Sequence, residues 1–115
     1  MKIAEINMVH FGSTGKIMLQ IAEAARSRGH EAVTFSPIIY NNGNIMFPEI
    51  PGHMYYGTQF ENRVHGAVAY HLGGNGCASA LATIRLLCAL SRFGPDILHL
   101  HNLHSACINL PMLFR

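Results

Sequence analysis

Three histidines and an amide follow a short apolar run near the end of the chain. Residues 95–104 read PDILHLHNLH and contain His99, His101, Asn102 and His104. Side chains alternate between faces along a strand, so a strand here would place His99 and His101 on one face. In an open parallel α/β sheet the carboxyl ends of the strands border the ligand crevice. We therefore expect Asn102 and His104 to be loop residues that face a cleft.

Two kinds of chemistry fit these histidines. A neutral imidazole both donates and accepts hydrogen bonds, which matches sugar hydroxyls, and His101, Asn102 and His104 are our candidate contacts to a polar ligand. Zinc also binds imidazole readily, so a zinc-dependent hydrolase is an alternative. Hydrolases with such a cluster need nearby carboxylates, and residues 105–115 contain none. We accordingly expect no metal and no cofactor. Hydrogen bonds at a strand end would account for His99 alone.

A glycine-rich turn after the first apolar run is the second candidate site. Its residues are Gly12, Ser13, Thr14, Gly15 and Lys16. Such a turn at a helix N-terminus presents free backbone N–H groups and the positive end of the helix dipole, which suit a phosphate or a sugar hydroxyl. The spacing matches neither the P-loop nor G-x-G-x-x-G. A plain strand-to-helix turn, capped by Ser13 or Thr14, remains the alternative.

Hydrophobic spacing predicts the elements that position these groups. Residues 2–9 and 30–36 are apolar runs typical of short strands. Between them, Ile17 and Ile21 recur at helical spacing, which predicts a helix over 16–26. Strand, helix and strand in this order form a right-handed βαβ unit with parallel strands.

The rest of the chain continues the same alternation. Residues 41–57 are rich in Asn, Gly, Pro and Tyr and predict an irregular excursion. Helices are expected over 60–72 and 79–93, the second with Leu81, Ile84, Leu87, Cys88 and Leu90 mostly on one side. The histidine strand follows, and 106–115 is typical of a helix beginning. The predicted fold class is α/β, a Rossmann-like parallel sheet with flanking helices.

Composition excludes several classes of protein. At 115 residues, with 50% hydrophobic and 12% charged residues, the chain is one apolar domain at most and too apolar to be disordered. A net charge of +2 without a basic block does not indicate nucleic-acid binding. Three cysteines, none spaced as C-x-x-C, indicate reduced thiols. Glu5 interrupts what a signal peptide would need as an apolar run, and no stretch is long enough for a membrane span. We expect a cytoplasmic protein.

Five segments together resemble the N-terminal half of a bacterial retaining glycosyltransferase of the GT-B fold. The resemblance is to the family-4 group, active in capsule, exopolysaccharide and lipopolysaccharide synthesis, and it covers essentially the whole chain. Its most specific parts are the histidine motif and the Gly-Ser-Thr-Gly loop. The segments are residues 1–7, 11–17, 62–66, 74–76 and 95–104.

The resemblance implies a two-domain enzyme that moves a sugar from a nucleotide donor to a saccharide or lipid-linked acceptor. The N-terminal domain mainly binds the acceptor. The loop from Gly12 to Gly15 would lie near the donor diphosphate, and Lys16 near phosphate. His101 best matches a strand-end histidine that touches the transferred sugar, with His104 second. Lipid-linked acceptors would add peripheral contact with the inner membrane face.

One departure from this family is large. The family's C-terminal domain binds the nucleotide through a basic pair and two glutamates spaced E-x7-E, and these 115 residues match only the N-terminal half and do not include that domain. The resemblance therefore implies an incomplete GT-B fold, a fragment whose isolated chain lacks appreciable transferase activity. The alternative is a non-catalytic saccharide-binding or remnant domain.

Overall fold

Four parallel strands form the sheet that carries the candidate residues. The computed structural model describes residues 1–37, 40–41, 44–45, 48–57, 59–72, 80–103 and 108–115. The strands are β1 (Lys2–Ile6), β2 (Glu31–Ser36), β3 (Tyr40–Asn41), β4 (Asn44–Ile45), β5 (His53–Tyr55) and β6 (Ile97–Leu100). The helices are α1 (Gly12–Ser27), α2 (Gln59–Leu72), α3 (Ala80–Phe93) and α4 (Leu110–Leu113). The predicted α/β, Rossmann-like class is confirmed.

The order of the strands in the sheet is β5-β2-β1-β6. The chain builds outward from β1 through β2 to β5 and then returns to place β6 on the other side of β1. The direction of building therefore reverses between β1 and β6. Ligands of open α/β sheets bind outside the carboxyl ends of the strands at such a reversal. The loops that follow β1 and β6 flank the position of this reversal.

The first βαβ unit is confirmed, but α1 begins four residues earlier than predicted. Its N-cap residue is Phe11, whose backbone is extended and which makes no side-chain cap. Ser13 and Thr14 lie inside the first turn, so the prediction that one of them caps the helix is wrong. The strand β1 is shorter than predicted: it ends at Ile6, and in the loop that follows the Asn7 side chain bonds to the Val9 carbonyl.

The prediction of which side of α1 is buried is also wrong. The helix buries Gly15, Met18 and Ala22, whereas Ile17 and Ile21 are 49% and 37% exposed. Gly15 explains this rotation, because a Cβ atom there would lie 2.4 Å from the carbonyl carbon of His10. The helix contacts the preceding loop at Gly15, and the side that carries Ile17 and Ile21 is exposed instead of buried.

The segment predicted to be irregular, 41–57, contributes three strands. β3 and β4 form a short antiparallel pair, and β5 extends the main sheet by pairing in parallel with β2. A strand of three residues is too short to show an alternating pattern, which is why the sequence did not reveal β5.

The main hydrophobic core lies on the face of the sheet that packs against α3. Ala4 and Ile6 of β1 and Phe35 of β2 pack there with Leu86 and Leu90 of α3. The predicted helices over 60–72 and 79–93 and the strand before His101 are confirmed. The predicted stripe of α3 is displaced, since Leu81 and Ile84 are exposed while Ala82, Thr83, Leu86 and Leu90 are buried. The expected helix over 106–115 is reduced to α4, and residues 104–107 lie outside the described residues.

β6 is an edge strand in the part of the chain that the structure describes. It pairs with β1, and Ile97, Leu98 and His99 are each at least 40% exposed. None of the described helices has both the length and the apolar character that a membrane crossing requires.

Candidate functional site

A row of polar side chains crosses one face of the sheet. In the register of the sheet, Glu5 of β1 pairs with Thr34 of β2 and with His99 of β6, and Thr34 pairs in turn with His53 of β5. The neighbouring residues Ala4 and Ile6 face the core with α3, so Glu5 faces the side of α1. The four strands thus bring four polar side chains onto one face.

Glu5 is the centre of one cluster, which we call the Glu5 cluster and which consists of Glu5, His99 and His101. The Glu5 side chain is 1% exposed, and its Oε2 atom accepts a short hydrogen bond from His101 Nε2. His99 Nδ1 lies 3.1 Å from the same oxygen. The ring centroids of the two histidines are 4.2 Å apart. The prediction that His99 and His101 share a face is confirmed, and the residue that joins them is a carboxylate from the first strand.

The Glu5 cluster is only partly closed. The His101 side chain is 11% exposed, while the His99 side chain is 46% exposed. Within the described residues, the buried Oε1 atom of Glu5 has no hydrogen-bond partner. A buried carboxylate oxygen without a partner is costly, because burial removes the water that would otherwise solvate it. This oxygen is therefore a position where a cation or a hydrogen-bond donor would be stabilised.

Asn7 fastens the loop after β6 to the loop after β1. Its fully buried side chain accepts a hydrogen bond from the backbone N–H of Asn102 (3.1 Å) and donates one to the carbonyl of Val9 (2.9 Å). The N–H of Met8 donates to the carbonyl of Asn102 (2.9 Å), and the N–H of His101 donates to the carbonyl of Ile6 (2.9 Å). These bonds hold His101 and Asn102 against the segment that leads into α1.

The two glycines at the start of α1, Gly12 and Gly15, are required for different structural reasons. Gly12 has a φ of 69°, a left-handed backbone conformation that other residues adopt at a cost. Gly15 is required by the close approach to His10 described above. The first turn of α1 contains no acidic residue. Its backbone N–H groups and the positive end of its dipole therefore meet no carboxylate of that turn.

The other predicted site residues are distributed differently. Ser13 and Lys16 are exposed, and Thr14 is half-buried. Lys16 lines a shallow groove together with Glu23, Arg26 and Pro51, on the flank of α1 opposite to Ile17 and Ile21. His104 lies outside the described residues.

A second cluster, which we call the His53 cluster, lies on the same face at the other side of the sheet. It consists of His53 with Thr34, Ser36, His10 and Tyr55. The ring of His53 lies between two buried hydroxyls, with Nδ1 2.7 Å from Thr34 Oγ1 and Nε2 2.9 Å from Ser36 Oγ. Each ring nitrogen thus hydrogen-bonds to a hydroxyl, and Thr34 Oγ1 also lies 3.5 Å from the Gly52 carbonyl oxygen. Burial, and to a smaller extent the neighbouring His10, lower the pKa of His53 to about 4.

His10 completes the His53 cluster. Its ring packs edge-on against Tyr55 (5.3 Å between centroids) and lies 5.8 Å from the ring of His53. Burial lowers the pKa of His10 as well. Its Nε2 atom has no hydrogen-bond partner among the described residues. Both imidazoles are therefore neutral at physiological pH.

Glu5, Asn7 and His53 were not singled out as site residues from the sequence. A signal for the first two was present: Glu5 and Asn7 are two apart in the strand predicted over 2–9, which would place them on one face, and that face becomes polar toward the carboxyl end. No comparable signal marks His53, whose strand has three residues.

Comparison with known proteins gives no relative for this chain. No protein-family model matches it, and searches of curated proteins and of solved structures return no match.

Proposed function

We propose that this chain is the acceptor-side domain of a retaining glycosyltransferase, which moves a sugar from a nucleotide donor to a saccharide or lipid-linked acceptor in cell-surface polysaccharide synthesis. One observation carries the proposal. The loop that ends in the uncapped N-terminus of α1 and the loop that begins with His101 are hydrogen-bonded to each other at the carboxyl edge of a parallel sheet. They flank the position where the order of strands reverses, which is where such sheets bind ligands.

His101 is the residue that we assign to the transferred sugar. Its Nε2 contacts Glu5, which fixes the orientation of the ring and leaves Nδ1 to hydrogen-bond with a sugar hydroxyl. In this proposal Glu5 is a positioning residue, and Asn102 and His104 extend the contact along the loop. The 11% exposure of His101 fits a group that is reached at the bottom of a cleft.

The N-terminus of α1 is the element that we assign to the donor phosphates and acceptor hydroxyls. Gly12 lets the chain enter the helix in a left-handed conformation, and Ser13 and Thr14 follow in its first turn. Lys16 lies on the flank toward Pro51, so we expect it to act on phosphate through its charge at a distance rather than by direct contact.

The nucleotide itself would be bound by a separate domain that closes the cleft. The 115-residue chain is then expected to bind an acceptor without turning it over. The cytoplasmic face of the membrane is the location that this role implies, because nucleotide sugars and lipid-linked acceptors would meet there.

Saturation-transfer NMR with a panel of methyl hexosides tests this role. We expect weak, saturable binding of at least one glycoside, lost in His101→Ala and retained in His71→Ala, which removes an exposed histidine of α2. Binding that is equal in both variants, or no binding at all, would contradict the proposal. Nucleotide release from UDP-sugars or GDP-sugars by the 115-residue chain, above that of heat-inactivated protein, would contradict the expectation that it is inactive alone.

A further inference from the structure

The Glu5 cluster has the composition and spacing of a transition-metal site. We propose that Glu5, His99 and His101 together bind one zinc ion. Their donor atoms all lie within 4.8 Å of one another. Zinc is bound in proteins by imidazole nitrogen and carboxylate oxygen, and two histidines with one glutamate is an established ligand set for it.

The distance between His99 and Glu5 is close to the one that this assignment requires. A tetrahedral zinc ion with bonds of about 2.0–2.2 Å separates its ligand atoms by roughly 3.3–3.5 Å. His99 Nδ1 and Glu5 Oε2 are 3.1 Å apart, and the His101 nitrogen is also beside that oxygen. Small changes in side-chain torsion would therefore accommodate the ion. The backbone need not move, because Glu5 and His99 are directly paired in the sheet and His101 follows on the same face.

The charge of the cluster points to a cation. Glu5 is almost fully buried, and one of its oxygens has no partner among the described residues. A buried carboxylate is stable when it is paired with positive charge or coordinates a metal. A zinc ion between the three side chains would compensate the carboxylate, and the second oxygen of Glu5 would be available to it.

The ligand types select among cations. Imidazole nitrogen favours zinc and its transition-metal neighbours, whereas magnesium and calcium prefer oxygen ligands throughout. Three protein ligands leave one coordination position open, as in zinc sites that exchange a bound water. The 46% exposure of His99 provides access to that position.

The fold also removes the objection that the sequence raised against zinc. No carboxylate follows the histidine motif, but Glu5 precedes His101 by 96 residues and is brought beside it by the pairing of β1 with β6. The ligand set differs from H-x-H-x2-H, because the third ligand is Glu5 and not His104. Zinc binding at this cluster does not depend on the proposed transferase role.

Zinc titration of the native chain, purified without a histidine tag, tests the proposal. In competition with a chromophoric chelator, we expect one zinc per chain. His99→Ala should weaken binding by at least about tenfold, since a ligand contributes no less than the outer-sphere groups whose loss has that effect. His71→Ala is the matched control and should leave the affinity unchanged. An excess of magnesium should not compete.

A second measurement separates loss of a ligand from loss of the fold. Cobalt(II) added to the wild-type chain should give the visible absorption of a four-coordinate site, and Glu5→Gln should lose it while its far-ultraviolet circular dichroism remains native. No saturable binding of zinc, or equal weakening by His99→Ala and His71→Ala, would overturn the proposal. An unchanged cobalt spectrum in folded Glu5→Gln would overturn it too.

Discussion

The Glu5 cluster and the His53 cluster lie on the same face of one sheet and differ in how their polar groups are satisfied. Both nitrogens of His53 bond to buried hydroxyls, and its lowered pKa keeps it neutral. In the Glu5 cluster two imidazoles contact one carboxylate oxygen, the other oxygen has no partner in the described part of the chain, and one ring is half exposed. The His53 ring is therefore bonded at both nitrogens, whereas within the described residues the Glu5 carboxylate has an unpartnered oxygen, and His10, beside His53, has an unpartnered Nε2.

Coverage of the sheet accounts for this difference. On the His53 side, the ring is half-buried and bonds to fully buried Thr34 and Ser36, and the loop that carries His10 packs beside it. On the other side, α1 turns Ile17 and Ile21 toward solvent, and β6 is an exposed edge in the described residues. Histidines of the two clusters therefore differ in role because different parts of the chain pack against them. Three substitutions and a change of pH test this comparison through the free energy of unfolding.

The largest effect on stability is expected from His53→Ala. This change removes the partner of two hydroxyls that are 0% exposed, Thr34 and Ser36, and leaves a cavity. We expect a loss of about 3 kcal/mol in the free energy of unfolding. Urea denaturation followed by circular dichroism measures it. A loss below about 1 kcal/mol would mean that the His53 cluster is not structural.

Asn7→Ala should have the next largest effect. It leaves the half-buried N–H of Asn102 and carbonyl of Val9 without their partner, so we expect a loss of about 2 kcal/mol. Amide hydrogen exchange should accelerate at Asn102, because the loop after β6 is released from the loop after β1. Gln20→Ala, on the exposed surface of α1, is the control and should change neither quantity. Unaltered exchange at Asn102 would contradict the role assigned to Asn7.

Acid should weaken the His53 cluster through proton uptake on unfolding. The unfolded chain binds a proton at His53 near the ordinary pKa of 6.5, whereas the folded chain does so only near 4. The contribution of this group is complete above pH 6.5 and is lost as the pH falls toward 4. We expect a decrease of about 1–2 kcal/mol across this window, reduced from the full linkage value because the ring is partly exposed. The difference between the wild type and His53→Gln isolates it, and parallel profiles would contradict the assignment.

The smallest effect on stability is expected from His99→Ala. The ring is half exposed, and the Glu5 oxygen that it approaches keeps its hydrogen bond from His101. The free energy of unfolding should change by no more than about 0.5 kcal/mol. The same denaturation experiment measures it. A loss comparable to that of His53→Ala would show that the Glu5 cluster is also a structural one.

The sequence predicted the elements whose patterns extend over many residues. The boundaries of α2 and α3, and the strand before the histidines, follow from hydrophobic runs and from the glycine and proline that end them. The rotations of α1 and α3 could not be predicted in this way, because the choice of the buried side depends on close contacts such as Gly15 with His10. These contacts involve atoms that meet only when the chain is folded.

The candidate site was half predictable for a similar reason. The alternation of His99 and His101 is a local pattern, and it placed both rings on one face. Glu5 joins them through strand pairing between residues that are almost the whole chain apart. The strand order, which pairs β1 with β6, would have been needed to find Glu5, and hydrophobic patterns in the sequence do not give that order.

The most direct test of the account is histidine-ring NMR during titration with the methyl hexosides. The central claim is that the Glu5 cluster contacts the ligand and that the His53 cluster is structural. The account predicts that the ring resonances of His101, and to a smaller extent His99, shift in a saturable manner while those of His53 stay constant. Shifts at His53 with none at His101, or no shift at any ring, would contradict it.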